Sequence, residues 1–335
     1  MSPPDLAIGL LPVVLFLGAL VLMDSYKLVR PRSLAVALLS GIGAAALCFA
    51  LNRALLEAFH LPLTVLTGIV APTLEETAKA AFVVWLVRRH KVGFLVDAAI
   101  LGFATGAGFA LVENLYYAGA MHAASPWLWI ARGLGTAIMH GATTSVVGVL
   151  AKDAADRHGE VTWTQPLPGL AIAIAAHAVF NLVSRQPLLA AAFVVLVLPL
   201  VLFVVFERSE RVTRDWLGTG LDLDMELLEL VMSDGVSDSR VGRYLHTLRE
   251  RFEGTVVADM LCLLRIHLEL SVRAKGVLIA RAAGVEVPLD DGVRANLVEL
   301  RHLERSIGPT GRLAMQPILA ASGRDLWQLQ MLSRR

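Results

Sequence analysis

Charge is scarce in this sequence and neither sign prevails: Asp, Glu, Lys and Arg make up 18% of 335 residues, with a formal net charge of +1. Without a basic field there is little to hold a nucleic-acid backbone, so nucleic acid is not an expected partner. Cysteine is nearly absent as well. The two copies, Cys48 in an apolar run and Cys262 in the polar tail, read as small buried hydrophobes and suggest no disulfide. Asp5 is the only early charge, and the basic start of a signal peptide is missing, so the first apolar run reads as a retained membrane span.

What is abundant is apolar surface: 56% of the residues are hydrophobic and the mean hydropathy is +0.63. The distribution is uneven, since only 12 of the 30 Lys and Arg and 10 of the 29 Asp and Glu precede Glu207. Before that point, runs long enough to cross about 30 Å of hydrocarbon can be drawn about seven times, at roughly 6–23, 34–56, 62–87, 94–118, 127–150, 168–184 and 187–206. The expected fold is therefore an all-α polytopic transmembrane bundle over residues 1–206, followed by a soluble all-α domain over residues 207–335. Stripes such as Val293, Leu297, Leu300 and Ile307, or Leu245, Leu248 and Phe252, predict helices in that tail, punctuated by Gly218, Gly235, Gly254, Gly284 and Pro288.

Orientation follows from the loops. Lys27, Arg30, Arg32, Arg88, Arg89, Lys91, Lys152 and Arg157 flank alternate spans, against Arg53 and Arg185 on the other side. Cytoplasmic loops retain such residues, which predicts an outside N-terminus and a cytoplasmic tail. Small residues four apart, Gly102 with Gly106 and Ala137 with Gly141, predict close packing between the fourth and fifth spans. No internal repeat is visible.

Several ionisable residues fall where lipid would be. Such a side chain near the bilayer centre costs roughly 2.5–3.5 kcal/mol on insertion scales, so it is expected to face the bundle interior and a partner. Glu75, Glu76 and Lys79 lie on the third span, Glu113 on the fourth, His140 on the fifth, and His177 with Asn181 on the sixth. Pro72 is expected to interrupt the third helix, with Thr73 and Glu76 at capping-box spacing. One lysine cannot neutralise three carboxylates. Either one carboxyl is protonated, or further positive charge or a metal is present. A carboxylate in such a cleft can take a proton from water, and neighbouring imidazoles and an amide can hold an oxyanion. His177 and Asn181, four apart, share one helix face.

These residues resemble a family. Glu75-Glu76-Thr77-Ala78-Lys79 is similar to the EExxK motif of PrsW-type intramembrane proteases, and Phe109 through Glu113 to their FxxxE motif. Arg132 through His140, and His177 through Asn181, match the remaining histidine-bearing segments. The likeness covers roughly residues 60 to 185. The related CAAX prenyl proteases and Abi proteins carry EExxxR, and a histidine where Glu113 stands. The resemblance implies a prokaryotic cytoplasmic-membrane enzyme that cuts membrane-anchored regulators such as anti-sigma factors. Glu75 is then the expected general base, Glu76 tunes its charge and Lys79 anchors the pair. His177 and Asn181, assisted by His140, are expected to stabilise the oxyanion.

No cofactor is favoured, because no HExxH run occurs and the CAAX relatives use a glutamate-activated water. Zinc or another divalent metal is the alternative, with Glu75, Glu113, His140 and His177 as its ligands. Two other functions compete with proteolysis: an inactive membrane scaffold whose tail binds an unidentified protein, and a proton-coupled transporter.

Overall fold

The computed structural model describes residues 3–120, 126–158, 162, 164–183, 187–288, 290–319 and 323–333, and the expected turn at Ser184, Arg185 and Gln186 lies outside them, as does the side chain of Arg132. Every regular element among the described residues is helical. The chain divides into two compact units, Met1–Glu210 and Arg211–Arg335.

The first unit contains α1 (Pro3–Met23), α2 (Pro31–Phe59), α3 (Leu63–Val65), a π-helical turn (Leu66–Val70), α4 (Ala71–Arg88), α5 (Leu95–Ala120), α6 (Pro126–His158), α7 (Leu167–Val183) and the start of α8 (Pro187–Met232). Polar side chains close its turns. Asp24 Oδ2 accepts the Val29 N–H at 3.0 Å, and Asp97 Oδ2 accepts those of Gly93 and Phe94 at 2.9 and 3.3 Å, satisfying donors that the helix start leaves unpaired. Pro31, which needs no N–H there, begins α2, and His60 in the left-handed region ends it.

Pro72 does not break the helix as expected. The irregularity lies one turn earlier, where the π-helical turn runs directly into α4. Thr73 does not cap either: its hydroxyl donates back to the Ile69 carbonyl at 2.7 Å, a bond available only to a residue already inside a helix.

Helix α5 forms the centre of the unit, with Ala98, Ile100, Phe103, Ala107 and Ala110 fully buried. Its neighbours approach to backbone contact. A Cβ added at Gly106 would land on the His140 carbonyl, and one at Gly108 on the Leu38 carbonyl. Glycine at these two positions lets α6 and α2 lie against α5. The outer faces carry exposed Leu39, Leu47, Phe49 and Leu182, an apolar surface suited to lipid. Among the described residues, Pro31–Phe59 and Leu95–Tyr117 are long and apolar enough to cross a membrane, and Leu11–Met23 and Leu167–Leu182 are shorter apolar helices.

The second unit contains the remainder of α8, a 3-10 turn (Asp234–Asp238), α9 (Arg240–Leu248), α10 (Gly254–Ala282), α11 (Asp291–Ser306), α12 (Gly308–Leu319) and α13 (Gly323–Ser333). Ser239 and Asp290 cap α9 and α11 by accepting the Gly242 and Val293 N–H groups. The predicted stripe Val293, Leu297, Leu300 and Ile307 is buried, and α11 packs against α10, whose Met260, Leu264 and Leu278 are buried as well. Lys275 is buried in this unit with its ammonium 2.5 Å from Asp224 Oδ2, and Ser271 donates to the same oxygen.

Candidate active site

Six of the seven candidate residues form one chain of polar contacts across α4, α5, α6 and α7. Glu113 Oε2 lies 2.6 Å from His140 Nε2, and His140 Nδ1 lies 2.8 Å from Lys79 Nζ. Lys79 Nζ donates to Glu76 Oε1 at 2.6 Å, and the same oxygen lies 2.8 Å from His177 Nδ1. Beyond His177, its Nε2 faces Glu75 Oε2 at 3.9 Å. The side chains of Glu76, Lys79 and His140 have no exposed surface, whereas Glu75 keeps 15% and Glu113 26%. Both ends of the chain are therefore reachable, and the middle is sealed.

The donors and acceptors fix the tautomers. Lys79 has only protons to offer, so His140 Nδ1 accepts and its Nε2–H donates to Glu113. The carboxylate of Glu76 accepts from Lys79 and must accept from His177 too, so the His177 proton sits on Nδ1. Its Nε2 then presents a lone pair toward Glu75. The spacing Glu76 to Lys79 is i to i+3, which places both on one face of α4, while Glu75 lies one residue round the helix and points toward α2 and α7.

Three contacts were not legible as roles in the sequence. The ring of Phe109, one helical turn before Glu113, lies 4.9 Å from Lys79 Nζ and 4.8 Å from the His140 ring, so the aromatic residue of that motif packs against the buried cation. Asn52 of α2 donates its Nδ2–H to Glu75 Oε1 at 3.3 Å; a polar residue inside an apolar run was its only signal. Asn181 stands apart from the chain and donates to the Thr67 carbonyl at 2.9 Å, in the π-helical turn. That carbonyl is where the π ladder, continued from the Ala71 N–H to Leu66 carbonyl bond, would take a proton from residue 72, and Pro72 has none.

The donor set suits a divalent metal. Glu75, His140 and His177 each offer one ligand atom, and these atoms lie within 4.8 Å of one another. His177 is already arranged as metal-binding histidines are, with Nδ1–H on a carboxylate and Nε2 bare. Glu76 Oε2 is buried without a protein hydrogen-bond partner, leaving negative charge beside this group uncompensated by donors. His140 joins the set by releasing Lys79 or Glu113, since both of its nitrogens are engaged.

No curated protein and no solved structure matches this chain. A family model described as PrsW family intramembrane metalloprotease matches residues 30–206, a range that contains α2 to α7 and every residue of the cluster.

Proposed function

This chain belongs to the PrsW family of intramembrane metalloproteases, and from that premise we propose that it hydrolyses a peptide bond of a membrane-anchored protein, with Glu75 as the general base that activates water. The observation that carries this reading is the facing pair of acceptors, Glu75 Oε2 and His177 Nε2, 3.9 Å apart at the reachable end of an otherwise sealed cluster. That separation suits one water bridging both. As the water oxygen attacks the carbonyl carbon, Glu75 takes its proton; as the C–N bond breaks, the proton passes to the departing amine nitrogen. The products are one new carboxyl terminus and one new amino terminus.

The remaining residues support that step by charge and position. Glu76 carries the charge that balances Lys79 and accepts the Nδ1–H of His177, and Lys79 keeps His140 in the tautomer that reaches Glu113. His177, with its proton on Nδ1 held by Glu76, serves this step as the acceptor that orients the water. Asn181, the expected oxyanion donor of α7, gives one amide proton to the Thr67 carbonyl.

The grouping within 4.8 Å favours a second reading, in which Glu75, His140 and His177, with Glu113 as the fourth candidate, hold zinc or another divalent ion. Such an ion, when bound, acts as a Lewis acid and lowers the pKa of water to about 7. In that arrangement Glu76 fixes the His177 ring, and Lys79 offsets the summed carboxylate charge.

The reading extends to topology. Seven spans, an outside N-terminus and a cytoplasmic all-α domain over residues 207–335 fit the loop charges, in a prokaryotic cytoplasmic membrane. The substrate is a regulator of the anti-sigma type, and the C-terminal domain is a docking module for a protein partner. The test is cleavage of single-span substrates by the purified protein in liposomes, wild type against Glu75→Gln. Cleavage that Glu75→Gln abolishes supports the reading; full cleavage by a folded Glu75→Gln protein removes Glu75 as the base.

A further inference from the structure

Helix α2 buries one stripe, Ala37, Gly41, Ala45 and Cys48, at intervals of three to four residues. The next step of that spacing is Asn52. At the start of the stripe the helix is pressed onto α5, because a Cβ at Gly41 would overlap the Thr105 carbonyl. Further along, Ala45 and Cys48 pack with Phe109, and Ala78 and Val112 close the same cluster. The residue that follows on this face is thus carried to the edge of the Glu75 site by apolar packing. One residue later the helix has turned away: Arg53 pairs with Glu57 on an exposed face at 2.8 Å.

At the site, the two oxygens of Glu75 are divided. Oε1 accepts the Asn52 Nδ2–H at 3.3 Å and Oε2 faces His177 Nε2 at 3.9 Å. The other end of the same amide, Asn52 Oδ1, is buried with no protein hydrogen-bond partner. A buried acceptor left unmade is unfavourable, so the amide stands beside Glu75 against that cost. The glutamate side chain itself has three torsions, so a donor held on one oxygen restrains how its carboxylate turns.

Resting on the hydrolytic reading above, we propose that Asn52 is the positioning residue of this site: its amide N–H pins Glu75 Oε1 and keeps Oε2 directed at His177 Nε2, so that these two acceptors hold the attacking water between them. Asn52 does not itself touch the scissile bond. Its effect passes through the orientation of Glu75 and of the water, and therefore falls on turnover and not on substrate affinity. Supporting groups of this type, when removed, lower activity about tenfold to a hundredfold.

The experiment compares wild type, Asn52→Leu, Asn52→Gln and Asn52→Ser in liposomes with one cleavable single-span substrate, and records kcat and KM separately. Asn52→Leu keeps the shape without donor or acceptor, Asn52→Gln keeps the amide, and Asn52→Ser provides a small polar variant if the leucine protein does not fold. The expected result is a loss in kcat of about ten- to a hundredfold for Leu and Ser with KM unchanged, and partial recovery for Gln. A wild-type kcat in Asn52→Leu, a loss confined to KM, or a Gln variant no faster than Leu overturns the proposal. Thermal unfolding of the full chain with Asn52→Leu, Glu75→Gln and both separates the two ideas, because it needs no substrate. Non-additive effects support the Asn52 to Glu75 link even if no cleavage is found; additive effects refute it even if the chain proves to be a protease.

Discussion

Asn181 of α7 donates an amide N–H to the Thr67 carbonyl at 2.9 Å, replacing the bond that Pro72 has no proton to make. An unsatisfied carbonyl in lipid costs several kcal/mol, so the pairing lets a proline and a π-helical turn stand just before Glu75 and Glu76. Asn181→Ala is expected to destabilise the bundle and slow any cleavage together. Pro72→Ala in the same chain returns an N–H to the backbone and should restore much of the lost stability. Thermal unfolding of the single and double variants in detergent checks this; no recovery in the double variant would dissociate Asn181 from the proline.

The buried pair of Glu76 and Lys79 sets a second expectation. Neither side chain is exposed, and their 2.6 Å contact is shared with His177 on one side and His140 on the other. Removing one partner of such a pair strands a charge and costs roughly 3–5 kcal/mol, while replacing both by neutral groups costs far less. Lys79→Met and Glu76→Gln should each unfold much earlier than wild type, and the double variant should lie above both singles. Denaturation in one detergent, with folded yield as a control, measures the ordering.

Chelation separates the two chemistries proposed for the cluster. With glutamate-activated water, cleavage persists after exhaustive treatment with a strong chelator, whereas His177→Ala and Asn181→Ala lose about a hundredfold to a thousandfold as the acceptor that orients the water and an oxyanion donor are removed. Activity lost to the chelator and regained with zinc, together with a bound-metal content that falls in His177→Ala, transfers the mechanism to the ion.

Much of this site was legible in the sequence because charged residues in apolar runs have few destinations. Glu75, Glu76 and Lys79 stood out on one hydrophobic stretch and Glu113, His140 and His177 on three others, and their convergence follows from the cost of leaving any of them in lipid. Pairing was less accessible. Which carboxylate takes Lys79 depends on a rotation of one residue around α4, and i to i+3 and i to i+4 partners were equally available. Pro72 misled because local propensity points to a break, while a carbonyl acceptor can be satisfied from another helix. Asn52 and Phe109 carried no charge to mark them, and their contacts depend on how α2 and α5 pack.

The second unit offers a pH expectation of its own. His267 on α10 is half-buried, and its desolvation holds the imidazole below its ordinary value of 6.5, with Asp325 and Asp224 opposing and Lys275 reinforcing the shift. A depressed folded-state value means that the native unit binds fewer protons than the unfolded chain. Its contribution is fully present above the ordinary value and is lost as pH falls through the folded one. Thermal unfolding of the full chain, followed by hydrogen exchange in α10, should weaken on acidification below about 6.5. His267→Gln should flatten that dependence; an unchanged slope would assign it to other groups.

The last expectation concerns the side from which substrate is cut. With the N-terminus outside, α4 runs inward and α5 and α7 run outward, so Glu113 lies toward the outer end of α5 and Asn181 toward that of α7. Of the cluster side chains, Glu113 is the most exposed, at 26%, and Glu75 follows at 15%, while Lys79, deeper along α4, has none. Polar groups that reach solvent thus lie from mid-membrane outward, and the inward side is closed by the buried pair. A wet path costs least where such groups already line it. Water and substrate should enter from the outer leaflet, with the cut near the outer boundary of the substrate's span. Mass spectrometry of the fragments tests this directly, because a cut in the cytoplasmic juxtamembrane segment contradicts it under either catalytic chemistry.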